Sequence, residues 1–163
     1  MAEIKFADIK LFRDRMTIAL PENFKDMPEY VARKKYPSKY RPPIILTSED
    51  TLVNYLFNLV EVPLPKSELY NAAKGLYNSL KRTQAMGKFG EINIADRVRG
   101  QIAWFPYDTQ TVDADLFQIA YVTDIDGKLM YGGFNCLADQ KDVWFDNALY
   151  SITSIREMGG QAL

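Results

Sequence analysis

The chain predicts an α+β fold, an antiparallel β-sheet with helices packed on it, and two observations carry that prediction. The first is a block of three consecutive strands, Val98–Phe105, Asp115–Thr123 and Lys128–Leu137. The last two are joined by Ile125-Asp126-Gly127-Lys128, and Asp-Gly is the dipeptide that a two-residue type I′ hairpin turn demands, because both central residues need positive φ. The second is a helical stripe, Leu69, Ala72–Ala73, Leu76 and Leu80, within Ser67–Gln84. Its i, i+3/i+4, i+7, i+11 spacing gives one apolar side to lay on such a sheet.

The remaining elements follow in chain order. Apolar residues at Ile4, Phe6, Ile9 and Leu11–Phe12 form a weak pattern, either a strand or an irregular lead-in. Arg15–Leu20 alternates, with Met16, Ile18 and Leu20 on one face, and Pro21 ends it. Asp26-Met27-Pro28-Glu29 reads as a helix start with a capping acid, and Tyr36-Pro37 stops that helix early. Three prolines between Pro37 and Pro43 imply an extended connection. Ile44–Thr47 and Thr51–Val60 are strands around a Ser48-Glu49-Asp50 turn. Val53, Tyr55, Phe57 and Leu59 form the core face of the longer one, and Leu52–Val60 presents a second, half-apolar face that is covered or binds something. Pro63 and Pro65 close that strand. Gly87 and Gly90 end the long helix, and Phe89–Ile94 is a short strand before the central three. A final helix, about Val143–Met158, carries Leu149, Ile152 and Ile155 and is ended by Gly159-Gly160.

Composition bounds the class. The 163 residues suit one domain, residues 1–163, with 47% hydrophobic and 25% charged residues. A net charge of −1 argues against bulk nucleic-acid binding. No apolar run is long enough to span a membrane, and the N-terminus lacks the apolar core of a signal peptide. With one cysteine, Cys136, no internal disulfide forms, which fits a reducing compartment, and the cytoplasm is the expected location. Histidine is absent altogether. That removes the commonest general base and metal ligand and every Ser-His or Cys-His arrangement, so no cofactor, metal site or catalytic residue is expected.

The order of strand, short helix, strand pair, long helix, antiparallel strands and closing helix, with Ile18-Ala19-Leu20-Pro21-Glu22-Asn23-Phe24 early and Ser151-Ile152-Thr153-Ser154-Ile155 late, resembles the PsbP-like fold. That superfamily includes a photosystem extrinsic subunit, a Ran-binding nuclear import factor and bacterial chaperones for secreted effectors. The resemblance runs over nearly the whole chain as an order of elements. It implies an α/β/α sandwich and a noncatalytic, partner-binding role. No binding residue transfers with it, because the family's partners dock on different surfaces.

Candidate chemistry is sparse. Asp124-Ile125-Asp126-Gly127 has the front of a calcium loop, but its twelfth position is Asn135, inside a strand, so the hairpin reading prevails. Asp113 and Asp115 form a carboxylate pair that reads as a solvated loop. Cys136 shares the strand parity of Met130 and Phe134 and reads as a buried, inert thiol. Gly132-Gly133 predicts a bulge or a close helix crossing. The cluster that stands out is Arg33-Lys34-Lys35-Tyr36-Pro37-Ser38-Lys39-Tyr40-Arg41, five cations and two tyrosines in nine residues of a slightly acidic chain. Arg33, Lys34, Lys35, Tyr36, Lys39, Tyr40 and Arg41 are therefore the expected contact surface for an acidic protein partner. Trp104, Phe105 and Tyr107, at the end of a central strand, are the alternative surface.

The function expected is a soluble protein-binding module, an adaptor or chaperone. The alternatives are a hydrolase or ligand-pocket protein that uses carboxylates, and a structural homo-oligomer.

Overall fold

A computed structural model describes residues 3–158. The short strands β1 (Phe6–Leu11) and β2 (Met16–Pro21) form a hairpin. After β3 (Lys25–Asp26) and the two-turn helix α1 (Glu29–Lys35), the chain enters β4 (Ile44–Thr47) and β5 (Asn54–Pro63). A single 3₁₀ turn (Lys66–Glu68) leads into α2 (Leu69–Thr83). Then come β6 (Lys88–Phe89), β7 (Asn93–Arg97), β8 (Gly100–Gln110), β9 (Asp115–Ile125) and β10 (Lys128–Leu137). A second 3₁₀ turn precedes α3 (Lys141–Thr153), and β11 (Arg156–Glu157) closes the described chain.

Two antiparallel sheets result. The larger runs β3-β4-β5-β10-β9-β8, with both β6 and β7 on the outer side of β8; the smaller runs β1-β2-β11. Register divides the large sheet into two faces. Tyr55, Phe134 and Ile119 lie in one cross-strand row, and Phe57, Gly132, Tyr121 and Trp104 in the next. These meet Met16, Ile18 and Leu20 of the small sheet and Ala148 and Ile152 of α3 in the main core. On the opposite face, Ile45, Leu56, Gly133, Ala120 and Phe105 share a row. There α1 covers Ile45 and Leu56 through Ala32 and Tyr36, while α2 covers Ala120 and Phe105 through Leu76, Tyr77 and Leu80.

The hairpin turn at Asp126-Gly127 has φ of 51° and 82°, both positive as a type I′ turn requires. The α2 stripe packs as its spacing demands, with Leu69 and Ala73 buried against Ala103 and Val122. Several boundaries differ from the sequence reading, each for an identifiable reason. The first central strand begins at Gly100, not Val98, because Val98-Arg99 is the turn of a β7–β8 hairpin that pairs Arg97 with Gly100, with Arg99 at φ 64°. It also continues past Phe105. Pro106 is tolerated because it faces the break between β6 and β7, where its carbonyl accepts the Gly90 amide at 2.8 Å and no N–H is needed.

Asp26 caps nothing; it pairs with Leu46, and α1 starts after Pro28 without a side-chain cap. Strand β5 starts at Asn54 because Thr51 belongs to the preceding turn, at φ 62°. The last helix stops at Thr153, well before Met158, and Ile155 is buried beyond it as the chain turns to pair Arg156 with Thr17. The Gly159-Gly160 terminator lies outside the described residues. Gly132-Gly133 is neither a bulge nor a helix crossing. A Cβ on Gly132 would fall 1.9 Å from the Leu56 carbonyl oxygen and 2.6 Å from the Tyr121 hydroxyl, so the glycine makes room within the sheet itself.

Candidate protein-interaction surface

Helix α1 is short, stopped by Pro37, and followed by a proline-rich loop held against it. Arg41 does the holding. Its guanidinium bonds Glu29 at 3.1 Å and donates to the carbonyls of Ser38 and Tyr36 at 3.3 and 3.5 Å. Helix and loop thereby enclose a cleft of about 450 Å³ lined by Met27, Glu29, Ala32, Lys39, Arg41, Pro42, Pro43 and Ile45. Met27, Ala32 and Ile45 close its bottom as a buried cluster, while its accessible wall is mainly polar, with Glu29, Lys39 and Arg41 lining it. Tyr30 and Tyr40, each next in sequence to a lining residue, are 70% and 79% exposed. Exposed tyrosines, a residue type enriched in protein interfaces, thus flank a mainly polar cleft.

The seven residues of the basic-aromatic segment divide by role. Lys34, Lys39 and Tyr40 project into solvent, with the Lys39 ammonium 5.2 Å from the Tyr40 ring. Arg33 is exposed and paired with Glu29 one turn earlier. Lys35 donates to the Thr51 carbonyl at 2.6 Å; partial burial lowers its pKa, against the opposing pull of Asp50. Arg41 braces the loop. Tyr36 does not project at all. It turns onto the sheet, where its hydroxyl accepts a bond from Asn135 at 2.8 Å, and burial raises its pKa.

Trp104, Phe105 and Tyr107 are divided between the two faces, as alternation demands. Trp104 is half-buried edge-on to Phe145 of α3. Phe105 packs under Tyr77 of α2, and Tyr107 stacks flat on Phe89 at 4.8 Å, so both are buried. The half-apolar face of β5 is divided too. Leu56 lies under α1, Asn58 bonds the Tyr131 hydroxyl at 3.0 Å, and Val60 is exposed. Asp113 is an exposed loop residue and Asp115 is the exposed first residue of β9. Cys136 is buried, and burial pushes its thiol up to about 12. Asp124 is engaged by Lys66 at 3.3 Å and accepts the Gly127 amide at 3.0 Å, so it serves the hairpin.

Two polar assemblies escape a sequence reading. Arg97, fully buried, makes a two-pronged pair with Glu157 at 2.8 and 3.1 Å, donates to Thr123 at 2.9 Å, and bonds the Asp124 carbonyl. It fastens β11 to the β7–β8 and β9–β10 hairpins. Across the helical face, Thr47, Asn54, Asn135, Gln118 and Tyr107 occupy one row through five strands, with Thr47, Asn54 and Asn135 linked by bonds of 2.6 and 2.9 Å. The five residues lie in five separate strands. Only pairing collects them.

No family model and no curated protein matches the sequence. Solved structures match its fold. Cyanobacterial PsbP (CyanoP) from Synechocystis sp. PCC 6803 superposes with a TM-score of 0.70 at 13% identity, covering 96% of this chain and 95% of that one. The chain has the PsbP-like fold. Two further structures share it at low identity. LpqN, involved in cell envelope biogenesis of Mycobacterium tuberculosis, has a TM-score of 0.60 at 9% identity, covering 96% and 92% of the two chains. The Saccharomyces cerevisiae Ran-binding protein Mog1p has a TM-score of 0.58 at 12% identity, covering 94% and 96%. The PsbP-like sandwich here is asymmetric, because the small β1-β2-β11 sheet shares the second layer with α3.

Proposed function

We propose that this PsbP-like protein is a noncatalytic protein-binding module that takes an acidic partner at the α1 cleft. The observation that carries the reading is the cleft itself. It combines a polar, cationic wall over a buried apolar cluster, exposed Tyr30 and Tyr40, projecting Lys34 and Lys39, and a loop already braced by Arg41, so little ordering is left for binding to impose. Mog1p, of the same fold, is a Ran-binding protein, which is consistent with a protein ligand on this scaffold. The chemistry of the chain agrees: there is no histidine, and its one thiol is buried and protonated. Adaptor and chaperone roles both fall within this reading.

The test places a photo-crosslinking amino acid at Tyr40 and, separately, at Tyr150, which is exposed on the other layer. The partner captured in native lysate at Tyr40 is identified by mass spectrometry, purified and titrated. Its affinity is expected to weaken with salt and to drop on Lys34→Glu/Lys39→Glu. Capture at Tyr150 alone, or an affinity indifferent to the charge reversal, refutes the reading.

A further inference from the structure

We propose that the Tyr70–Lys81 flank of α2 is a second contact for the same acidic partner, so that the helical side of the sheet is the docking face. The proposal rests on the α1 cleft reading and extends it to residues that reading does not use.

The two helices lie on one face of the sheet, because Ile45 and Leu56 under α1 share a cross-strand row with Ala120 and Phe105 under α2. The two segments that build that layer are basic. Residues 28–43 hold five cations and one carboxylate, and residues 64–90 hold the same, a net +8 in a chain of net −1. Everything outside these two segments therefore sums to −9.

Within α2 the pattern is directional. Tyr70, Lys74, Tyr77 and Lys81 recur at i, i+4, i+7 and i+11, which places them along one side of the helix. The ammonium groups of Lys74 and Lys81 sit 4.8 and 5.4 Å from the Tyr77 ring centroid, and Tyr70 is 52% exposed. A merely solvated helix intersperses acids that pair with its lysines. No carboxylate occurs from Leu69 to Thr83. Among the described residues, none of Lys74, Lys81, Arg82 and Lys88 reaches a carboxylate. Their field is left pointing outward.

The spacing suits a protein surface. The two helices stand roughly three strand spacings apart, about 14 Å. With helices about 10 Å across, the basic face is about 25 Å wide, comparable to one side of a standard protein–protein interface. A nucleic acid is the poorer occupant, because nucleic-acid binders as a class carry a large net positive charge and this chain carries −1.

The experiment measures binding of a fluorescein-labelled poly-glutamate peptide at low salt by anisotropy. Four proteins are compared: wild type, Lys34→Glu/Lys39→Glu on α1 and its loop, Lys74→Glu/Lys81→Glu on α2, and Lys10→Glu/Lys25→Glu as a control. The control residues are exposed, lie outside both helical segments and change the net charge equally. The expected result is about tenfold weaker binding for each helical variant, with the control near wild type. If the α2 variant binds like wild type while the α1 variant is weakened, this inference falls and the α1 cleft stands. Equal weakening of the control reduces the effect to net charge and overturns the surface. Tighter binding of oligo-dT or of phosphatidylserine vesicles than of the peptide also overturns it, in favour of a phosphate ligand.

Discussion

Replacing Gly132 with alanine tests the account of the sheet most sharply. Gly132 faces Tyr121 on one side and Phe57 on the other, in the middle of the large sheet. The Tyr121 side chain crosses over it to donate its hydroxyl to the Leu56 carbonyl at 2.9 Å. A methyl group at Gly132 would sit 1.9 Å from that carbonyl oxygen and 2.6 Å from that hydroxyl. Both partners must part, and the hydroxyl does not reach water, because Tyr121 is fully buried. Leaving a buried hydroxyl unpaired costs about 1–3 kcal/mol, and overpacking adds about 1–3 kcal/mol. A loss of about 3–5 kcal/mol is expected, a large part of a stability of about 5–15 kcal/mol. Urea unfolding followed by circular dichroism reads it directly, and the melting temperature should fall by roughly 10 °C. Tyr121→Phe supplies a cycle: the double variant should lose less than the sum of the singles, because both remove one hydrogen bond. Gly75→Ala is the internal control. Nothing lies within 4 Å of its added Cβ, so this mid-helix change should stabilise by about 0.5–1 kcal/mol. A Gly132→Ala loss below about 1 kcal/mol, or strict additivity with Tyr121→Phe, would refute the argument.

Three further outcomes follow from buried groups. Arg97→Met should cost about 3–5 kcal/mol, because it strands Glu157 and Asp124 without their buried cation; denaturant melts showing under 1 kcal/mol would contradict the fastening role. Burial alone would raise the Glu157 pKa, but the bond and charge of Arg97 outweigh it and hold it below the usual carboxylate range. Its stabilisation is therefore present above the unfolded value of about 4.3 and is lost as pH falls through the folded pKa. The acid limb of a stability–pH curve should flatten in Glu157→Gln. Native Cys136 should resist iodoacetamide at neutral pH and react once the protein is unfolded in urea; rapid native labelling would show the thiol to be accessible.

What the sequence determined alone was whatever rests on neighbours along the chain. Asp126-Gly127 set the β9–β10 turn because positive φ is a local requirement, and Lys128–Leu137 was legible to the residue. The α2 stripe and the stop at Pro37 are likewise matters of spacing and ring geometry. The basic-aromatic segment was visible as composition, and its charge excess over residues 28–43 is a sequence fact. Tertiary structure decided which side chains of that segment face inward. Tyr36 is turned inward by Asn135, ninety-nine positions away, while Tyr40 is left outside. It also decided that the chain after Thr153 leaves the helix, because Arg156 finds Thr17 and Glu157 finds Arg97. No periodicity or turn signal encodes such pairings. They exist only once distant strands have been brought to the same edge, where a buried charge or an unpaired backbone group must be satisfied by whatever lies beside it.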